Sequence, residues 1–197
     1  MNRYNSYKDS GVEWIGEIPI HWILGKWRFY FKSGMGQTIL KENLVKDGNT
    51  QVYSATEKDL IFGYINNPKL ILSKGDIVIP ARGNSIGYVK LVKEKSTTTQ
   101  TTIYSKRNSD KVNSYYIYYF CIGNKTNLFP FVQTAIPQIT VDEINSNNVL
   151  LPPISEQQQI VTFLDDKTQK IDSLIQQKEK KIELLKEKRT SLINHVV

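Results

Sequence analysis

The stretch Ile79-Pro80-Ala81-Arg82-Gly83-Asn84-Ser85-Ile86-Gly87 sets Arg82, Asn84 and Ser85 beside two glycines, directly after an apolar run. A guanidinium can pair in bidentate fashion with guanine O6 and N7, and a carboxamide with adenine N6 and N7. Glycines let a backbone come close to a phosphate. Composition alone favours an ordinary surface hairpin loop. Two further segments carry neutral hydrogen-bonding side chains that can read base edges when a rigid scaffold positions them. One is Gln133–Thr140, with Thr134 and Gln138; the other is Ser96–Thr102, with Gln100. The Thr-rich run also reads as a solvent-facing β-strand, since Thr favours strands. Lys90, Lys93, Lys95, Lys106 and Arg107 suit phosphate contacts, although each taken alone fits an ordinary surface position better.

Other chemistries find little material. The two histidines, His21 and His195, lie far apart, and with the single cysteine, Cys121, they assemble no Cys/His zinc site. His21, between Ile20 and Trp22, reads as structural. There is no G-x-S-x-G elbow and no P-loop. Gly34-Met35-Gly36 is too short to cradle a dinucleotide. Asp76 and Glu94-Lys95 are the only candidates for a metal-dependent nuclease, and Asp76 follows Gly75 at a common turn position. Asn66-Asn67-Pro68-Lys69 is not the Asn-Pro-Pro-aromatic motif of an adenine methyltransferase. The chain is not expected to be an enzyme, or to bind a cofactor or metal.

The elements that must position these residues fall into two parts. Up to about residue 150, short apolar runs alternate with turn signals. Leu70–Leu72, Asp76–Ile79 and Tyr88–Val92 read as strands, and Asn66–Pro68, Ser73–Asp76 and Arg82–Ser85 as turns. Tyr115–Phe120 reads as either a buried strand or a helix, the helix being favoured because Ser114 could cap it. Leu151-Pro152-Pro153 then stops the preceding element, and Ser155 with Gln158 forms a capping-box pattern. From there to Val197 there is no Gly or Pro. An alternating 3/4 spacing runs through Val161, Leu164, Thr168, Ile171, Ile175, Lys178, Ile182, Leu185, Arg189, Leu192 and Val196, of which eight are apolar. A helix of that length is a rod of roughly 60 Å. No other segment can cover its stripe, so a second copy of the chain is the simplest partner, with Leu164, Ile171, Ile175, Ile182, Leu185 and Leu192 at the contact.

Charge is unevenly divided. The chain carries a formal net charge of +7. Residues 1–154 hold 18 Lys/Arg against 12 Asp/Glu, and residues 156–189 hold 8 against 7. A basic globular part points to a polyanion, or simply to solubility. No run of 18 apolar residues and no secretory h-region is present, and the lone Cys121 reads as a buried thiol, so a cytoplasmic location is expected.

Three blocks resemble one family. Tyr7-Lys8-Asp9-Ser10-Gly11-Val12-Glu13-Trp14-Ile15-Gly16-Glu17-Ile18-Pro19-Ile20-His21-Trp22 resembles the opening of type I restriction–modification specificity subunits. Leu151-Pro152-Pro153-Ile154-Ser155-Glu156-Gln157-Gln158-Gln159-Ile160-Val161, continuing to Phe163-Leu164-Asp165, and Ile182-Glu183-Leu184-Leu185-Lys186-Glu187-Lys188-Arg189 resemble its closing helix. The resemblance implies an α+β fold: a mixed-sheet target recognition domain over residues 1–150, then a coiled-coil helix over 151–197 that packs antiparallel against a second copy. It implies recognition of one half of a split site on double-stranded DNA. It implies methylation subunits that bind S-adenosylmethionine and methylate adenine, and an endonuclease/translocase subunit that can join them. It turns Arg82, Asn84, Ser85, Thr134 and Gln138 toward DNA. The family's usual subunit has two recognition domains and two helices, whereas this sequence has one of each. It is therefore either a half-subunit that pairs with itself on a palindrome, or the first half of a longer chain. A coiled-coil interaction module, a stand-alone nuclease and a silent specificity-gene fragment are the competing readings.

Overall fold

A computed structural model describes residues 4–57, 60–130 and 137–196. The chain runs β1 (Tyr7–Asp9), β2 (Glu17–Pro19), β3 (Ile23–Lys26), β4 (Phe31–Met35), β5 (Thr50–Tyr53), β6 (Ile61–Ile65), β7 (Ile77–Pro80), β8 (Lys90–Leu91), β9 (Ser96–Thr98) and β10 (Thr102–Arg107). Then come α1 (Ser114–Gly123), α2 (Lys125–Leu128), α3 (Val141–Ser146), β11 (Asn148–Leu151) and α4 (Ile154–Val196). The largest sheet has the order β4-β10-β7-β8, all antiparallel. A three-stranded sheet, β6-β5-β9, is mixed, because β5 pairs antiparallel with β6 and parallel with β9. Two ribbons, β1-β2 and β11-β3, complete the strands. The fold is α+β, with two compact units, residues 1–158 and 159–197.

The core of the first unit follows from the apolar runs. Ile77, Val78 and Ile79 are wholly buried, because β7 lies between β10 and β8. Asp76 ends the turn before them: its carboxylate accepts from Ser73 N at 2.9 Å and from Arg107 N at 3.2 Å. This is turn chemistry. Trp27 stacks on Phe31 at 4.5 Å and donates its indole N–H to Ser105 Oγ at 3.1 Å. Tyr53, Leu72, Val78 and Val92 form a second cluster. Cys121 is buried, and that burial raises its thiol pKa.

Several expected elements differ. Leu70–Leu72 is no strand; only Leu72 makes an isolated bridge, to Ser96. Of Tyr88–Val92 only Lys90–Leu91 is strand. The Thr-rich run does not face solvent: Ser96, Thr97, Thr98, Thr99 and Thr102 are all buried. β9 is flanked by β5 on one edge and bridged by Leu72 on the other, so neither edge is open. The hydroxyls turn inward, Thr98 Oγ1 donating to Tyr53 O at 3.1 Å and Thr102 Oγ1 to Thr99 O at 2.8 Å. Ser96 Oγ and Thr97 Oγ1 have no partner among the described residues.

The helix starts also shift. Asn113, not Ser114, caps α1, because its extended backbone lets Oδ1 accept from Tyr115 N and Tyr116 N at 2.9 and 3.3 Å. α4 begins at Ile154, with Pro153 O accepting from Gln157 N, so Ser155 already lies inside the helix. The capping-box partner Gln158 instead accepts from Asn113 Nδ2 at 2.8 Å. Glu156 collects the N-terminal segment: Tyr4 Oη donates to it at 2.8 Å and Trp22 Nε1 at 3.0 Å, and His21 Nε2 lies 2.7 Å away. Burial raises the Glu156 pKa, but those three hydrogen bonds and the His21 charge outweigh it and hold the carboxyl below its usual range. Beyond this turn α4 continues to Val196, and the stripe residues Ile171, Ile175, Ile182, Leu185 and Leu192 are exposed, with Leu164 half-buried. Among the described residues no helix is long and apolar enough to cross a membrane.

Thr97→Val removes a buried, unpartnered hydroxyl at constant shape and is expected to stabilise the fold by about 1 kcal/mol. Thr102→Val, which strips a bonded hydroxyl, is expected to destabilise it by a similar amount, about 1 kcal/mol. Urea midpoints of the two variants check both signs. Glu156 has a lowered folded-state pKa, so its stabilising contribution is present above the ordinary carboxylate range near about pH 4.3 and is lost as pH falls through the lowered value. Wild type should therefore outlast Glu156→Gln at neutral pH and converge with it in acid, measured as Tm against pH; a constant gap would sink the assignment.

Candidate nucleic-acid interface

The candidate site lies where the central strands of the large sheet end. Antiparallel register sets Thr102 opposite Pro80 and Ile103 opposite Met35. The end of β4, the start of β10 and the end of β7 therefore share one edge of the first unit. Backbone bonds carry the pairing past the strands. Gly36 N donates to Thr102 O, and Ala81 N donates to Thr101 O, both at 3.0 Å. Ile139 N donates to Ala81 O and Gly83 N to Pro137 O, also at 3.0 Å, and Arg82 bridges Gln138 antiparallel. Segments 36–37, 99–102, 80–83 and 137–139 thus lie side by side as one polar rim. Three strand spacings of about 4.8 Å make the rim about 14 Å wide.

Each segment is held from inside. Ile86 is wholly buried and pins the far side of the Arg82 loop, while Gly87 N donates to Pro80 O at 3.2 Å. Gly83 has φ +71°, which glycine adopts without strain, and this turns Asn84 outward. A Cβ at Gly36 would stand 2.2 Å from Thr99 O, so Gly36 permits close backbone approach, while a Cβ at Gly34 would meet the Tyr104 ring. After Gln138, Thr140 and Glu143 form a capping box at the start of α3: Glu143 N donates to Thr140 Oγ1 at 3.2 Å, and Thr140 N to Glu143 Oε2 at 2.6 Å.

Of the residues singled out in the sequence, Arg82, Asn84 and Gln138 are exposed on the rim. Their side chains make no hydrogen bond or ion pair among the described residues, so all their donors and acceptors face solvent. Ser85 is buried, its hydroxyl 3.4 Å from Arg82 O. Gln100 is half-buried, and its Oε1 accepts from Ile39 N at 3.2 Å. Lys90 corrects the expectation of a phosphate contact: it is 1% exposed, with Nζ donating to Thr56 Oγ1 at 2.7 Å. Its strand runs along β7 inside the fold, and the ammonium is consumed there. Arg107 is likewise engaged, Nη1 donating to Val112 O at 3.2 Å. Thr134 lies outside the described residues.

Sequence reasoning missed two neighbours of the rim. Lys125 Nζ stands 3.2 Å above the Tyr88 ring, a cation–π pair beside Gly87. Gln37 follows Gly36 on the rim, bridged to Thr99, with its N–H donating to Thr98 O at 3.0 Å. Neither stands in a recognisable motif; only the sheet register shows them.

Comparison with known proteins then narrows the reading. The chain is 28% identical over 203 residues to the MjaX type I restriction enzyme specificity subunit of Methanocaldococcus jannaschii, an alignment covering 97% of this chain and 45% of that one. Its fold resembles the HsdS subunit from Thermoanaerobacter tengcongensis, with TM-score 0.67 and 18% identity over 85% of this chain and 41% of that one. It also resembles the type I restriction–modification S subunit from M. genitalium, with TM-score 0.60 and 16% identity over 78% and 40% of the two chains. This chain spans less than half the length of these relatives. The family model of the type I restriction modification DNA specificity domain matches residues 30–184, from the entry to β4 well into α4. On that match, over more than half its length, the chain belongs to the type I restriction modification DNA specificity domain family.

Proposed function

We propose that this chain is a non-catalytic DNA-reading subunit that directs adenine methylation, and restriction where an endonuclease subunit joins, to a split site. The observation that carries the reading is the rim: four segments distant in sequence meet at one edge, with Arg82, Asn84 and Gln138 exposed and unengaged among the described residues. A rim about 14 Å wide spans about four base-pair steps of 3.4 Å, a suitable length for one half of a split target. Arg82 takes a guanine, and Asn84 and Gln138 take adenine or backbone groups. Ser85 and Gln100 shape the loops that carry these contacts, and Thr134 belongs to the segment leading into Gln138. The excess positive charge of residues 1–154 draws the phosphates in.

The second unit sets the gap between half-sites. Its exposed stripe of Ile171, Ile175, Ile182, Leu185 and Leu192 calls for an equivalent antiparallel helix. Where that helix comes from a second copy, two-fold symmetry makes the target a palindrome with an unspecified spacer. Where the helix belongs to a longer version of the same chain, the target is asymmetric. Methylation subunits bring S-adenosylmethionine; this chain has no role in binding it.

The test is co-expression with a methylation subunit in a host lacking adenine methylation, followed by mapping of modified adenines. The expected result is a split motif that appears only with this chain, symmetric if copies pair. Absence of any motif with folded protein would sink the reading. Arg82→Ala should relax one motif position by about 1–3 kcal/mol, measured by competition between matched and mismatched duplexes. Weakening that is uniform across sequences would instead mark Arg82 as a phosphate contact.

A further inference from the structure

Next to the rim, an open groove of about 460 Å³ is bordered by Gln37, Asn43, Asn66, Asn67 and Lys69. Three of these carboxamides are fixed from behind by the backbone. Gln37 Oε1 accepts from Leu70 N at 3.0 Å, Asn43 Oδ1 from Leu40 N at 2.8 Å, and Asn66 Oδ1 from Asn49 N at 3.1 Å. A backbone N–H can only donate, so each amide must point its oxygen inward, and a flipped amide would set donor against donor. The NH₂ ends remain, and none of the three has a partner among the described residues. The groove is therefore a surface of pre-oriented neutral donors. Lys69 is the one cation along it, and it holds no arginine.

This chemistry selects its ligand. Phosphate contacts are driven by positive charge, which is sparse here. Two acceptors side by side on a neutral base edge are presented by guanine, through O6 and N7 in the major groove. The groove joins the rim directly, since Gln37 is bridged to Thr99 and Gly36 is bonded to Thr102. Two strand spacings, about 10 Å, separate the Gln37 segment from the Arg82 segment, or roughly three base-pair steps.

Resting on the DNA-reading function above, we propose that the groove formed by Gln37 and Asn66 reads a guanine at a target position distinct from the one Arg82 reads. The decisive variant is Gln37→Glu. It keeps an oxygen for Leu70 N–H and exchanges the donor for a second acceptor. Competition binding of randomised duplexes is measured for the full chain in its methylation complex. Gln37→Glu should abolish a guanine preference of roughly 5- to 150-fold at one position, and shift that position toward bases that present donors. Asn66→Asp, built on the same logic, should alter the same position, and 7-deazaguanine there should weaken wild type but not Gln37→Glu. An unchanged motif in both variants overturns the proposal while leaving the rim reading intact. Uniform weakening across all sequences also overturns it, by assigning the groove to phosphate. A wild-type complex that selects no motif at all overturns the DNA-reading function and this proposal together.

Discussion

The Gln157 carboxamide is fully buried and makes three hydrogen bonds: Nε2 donates to Lys111 O at 2.9 Å and to Pro152 O at 2.8 Å, and Oε1 accepts from Asn113 N at 2.8 Å. An amide buried without partners would cost several kcal/mol, roughly 2–7 by transfer data. Satisfied, it becomes a rigid three-way joint. Asn113 doubles the joint, since its own side chain caps α1 and reaches Gln158. Tyr116, in the first turn of α1, then donates to Leu150 O at 2.8 Å on β11. The loop before α1, the helix itself, the last strand and the first turn of α4 are thus locked by polar groups that water cannot replace.

The rim of the same unit is held by different means. Main-chain bonds and small hydroxyls fix the rim from within, alongside the buried Ile86 side chain. Thr98 and Thr102 bond to one another and to backbone carbonyls, which holds the 99–102 turn without occupying its outer surface. Arg82, Asn84 and Gln138 are then carried on segments whose backbones are over-determined, while their side chains remain uncommitted. Rigid support with free side chains is what selective hydrogen bonding to a base edge requires.

Much of this was legible in the sequence, for identifiable reasons. The apolar run at Asp76–Ile79 and the Gly-Asp turn before it are local signals, and both are present. The Pro-Pro stop and the long Gly- and Pro-free segment announced α4 to within a residue or two. The Thr-rich run misled because alternation and propensity describe one strand, whereas burial depends on what flanks it. Which element supplies a cap is likewise decided by backbone geometry: Asn113 was one residue from the expected Ser114, and Ser155 lay inside a helix that began at Ile154. The meeting of the rim segments was beyond any local pattern: 36–37, 99–102 and 80–83 are aligned by the register of β10 against β4 and β7, and 137–139 joins them through bonds to Ala81 and Gly83.

Charge shows the same distinction between composition and placement. The excess of Lys and Arg in residues 1–154 is real, but it does not translate residue by residue into phosphate contacts. Lys90 is drawn inside by its strand, with its ammonium bonded to Thr56, and Arg107 is turned to Val112 O. Lys125 lies over Tyr88, so its charge acts beside the Arg82 loop although it is 43 positions away in sequence. A long cationic stem buries readily along apolar surface, so the count of basic residues sets an upper bound on the field. The field that a polyanion meets at the rim is set instead by the cations placed beside it, and there Arg82 is the one held by backbone on both sides.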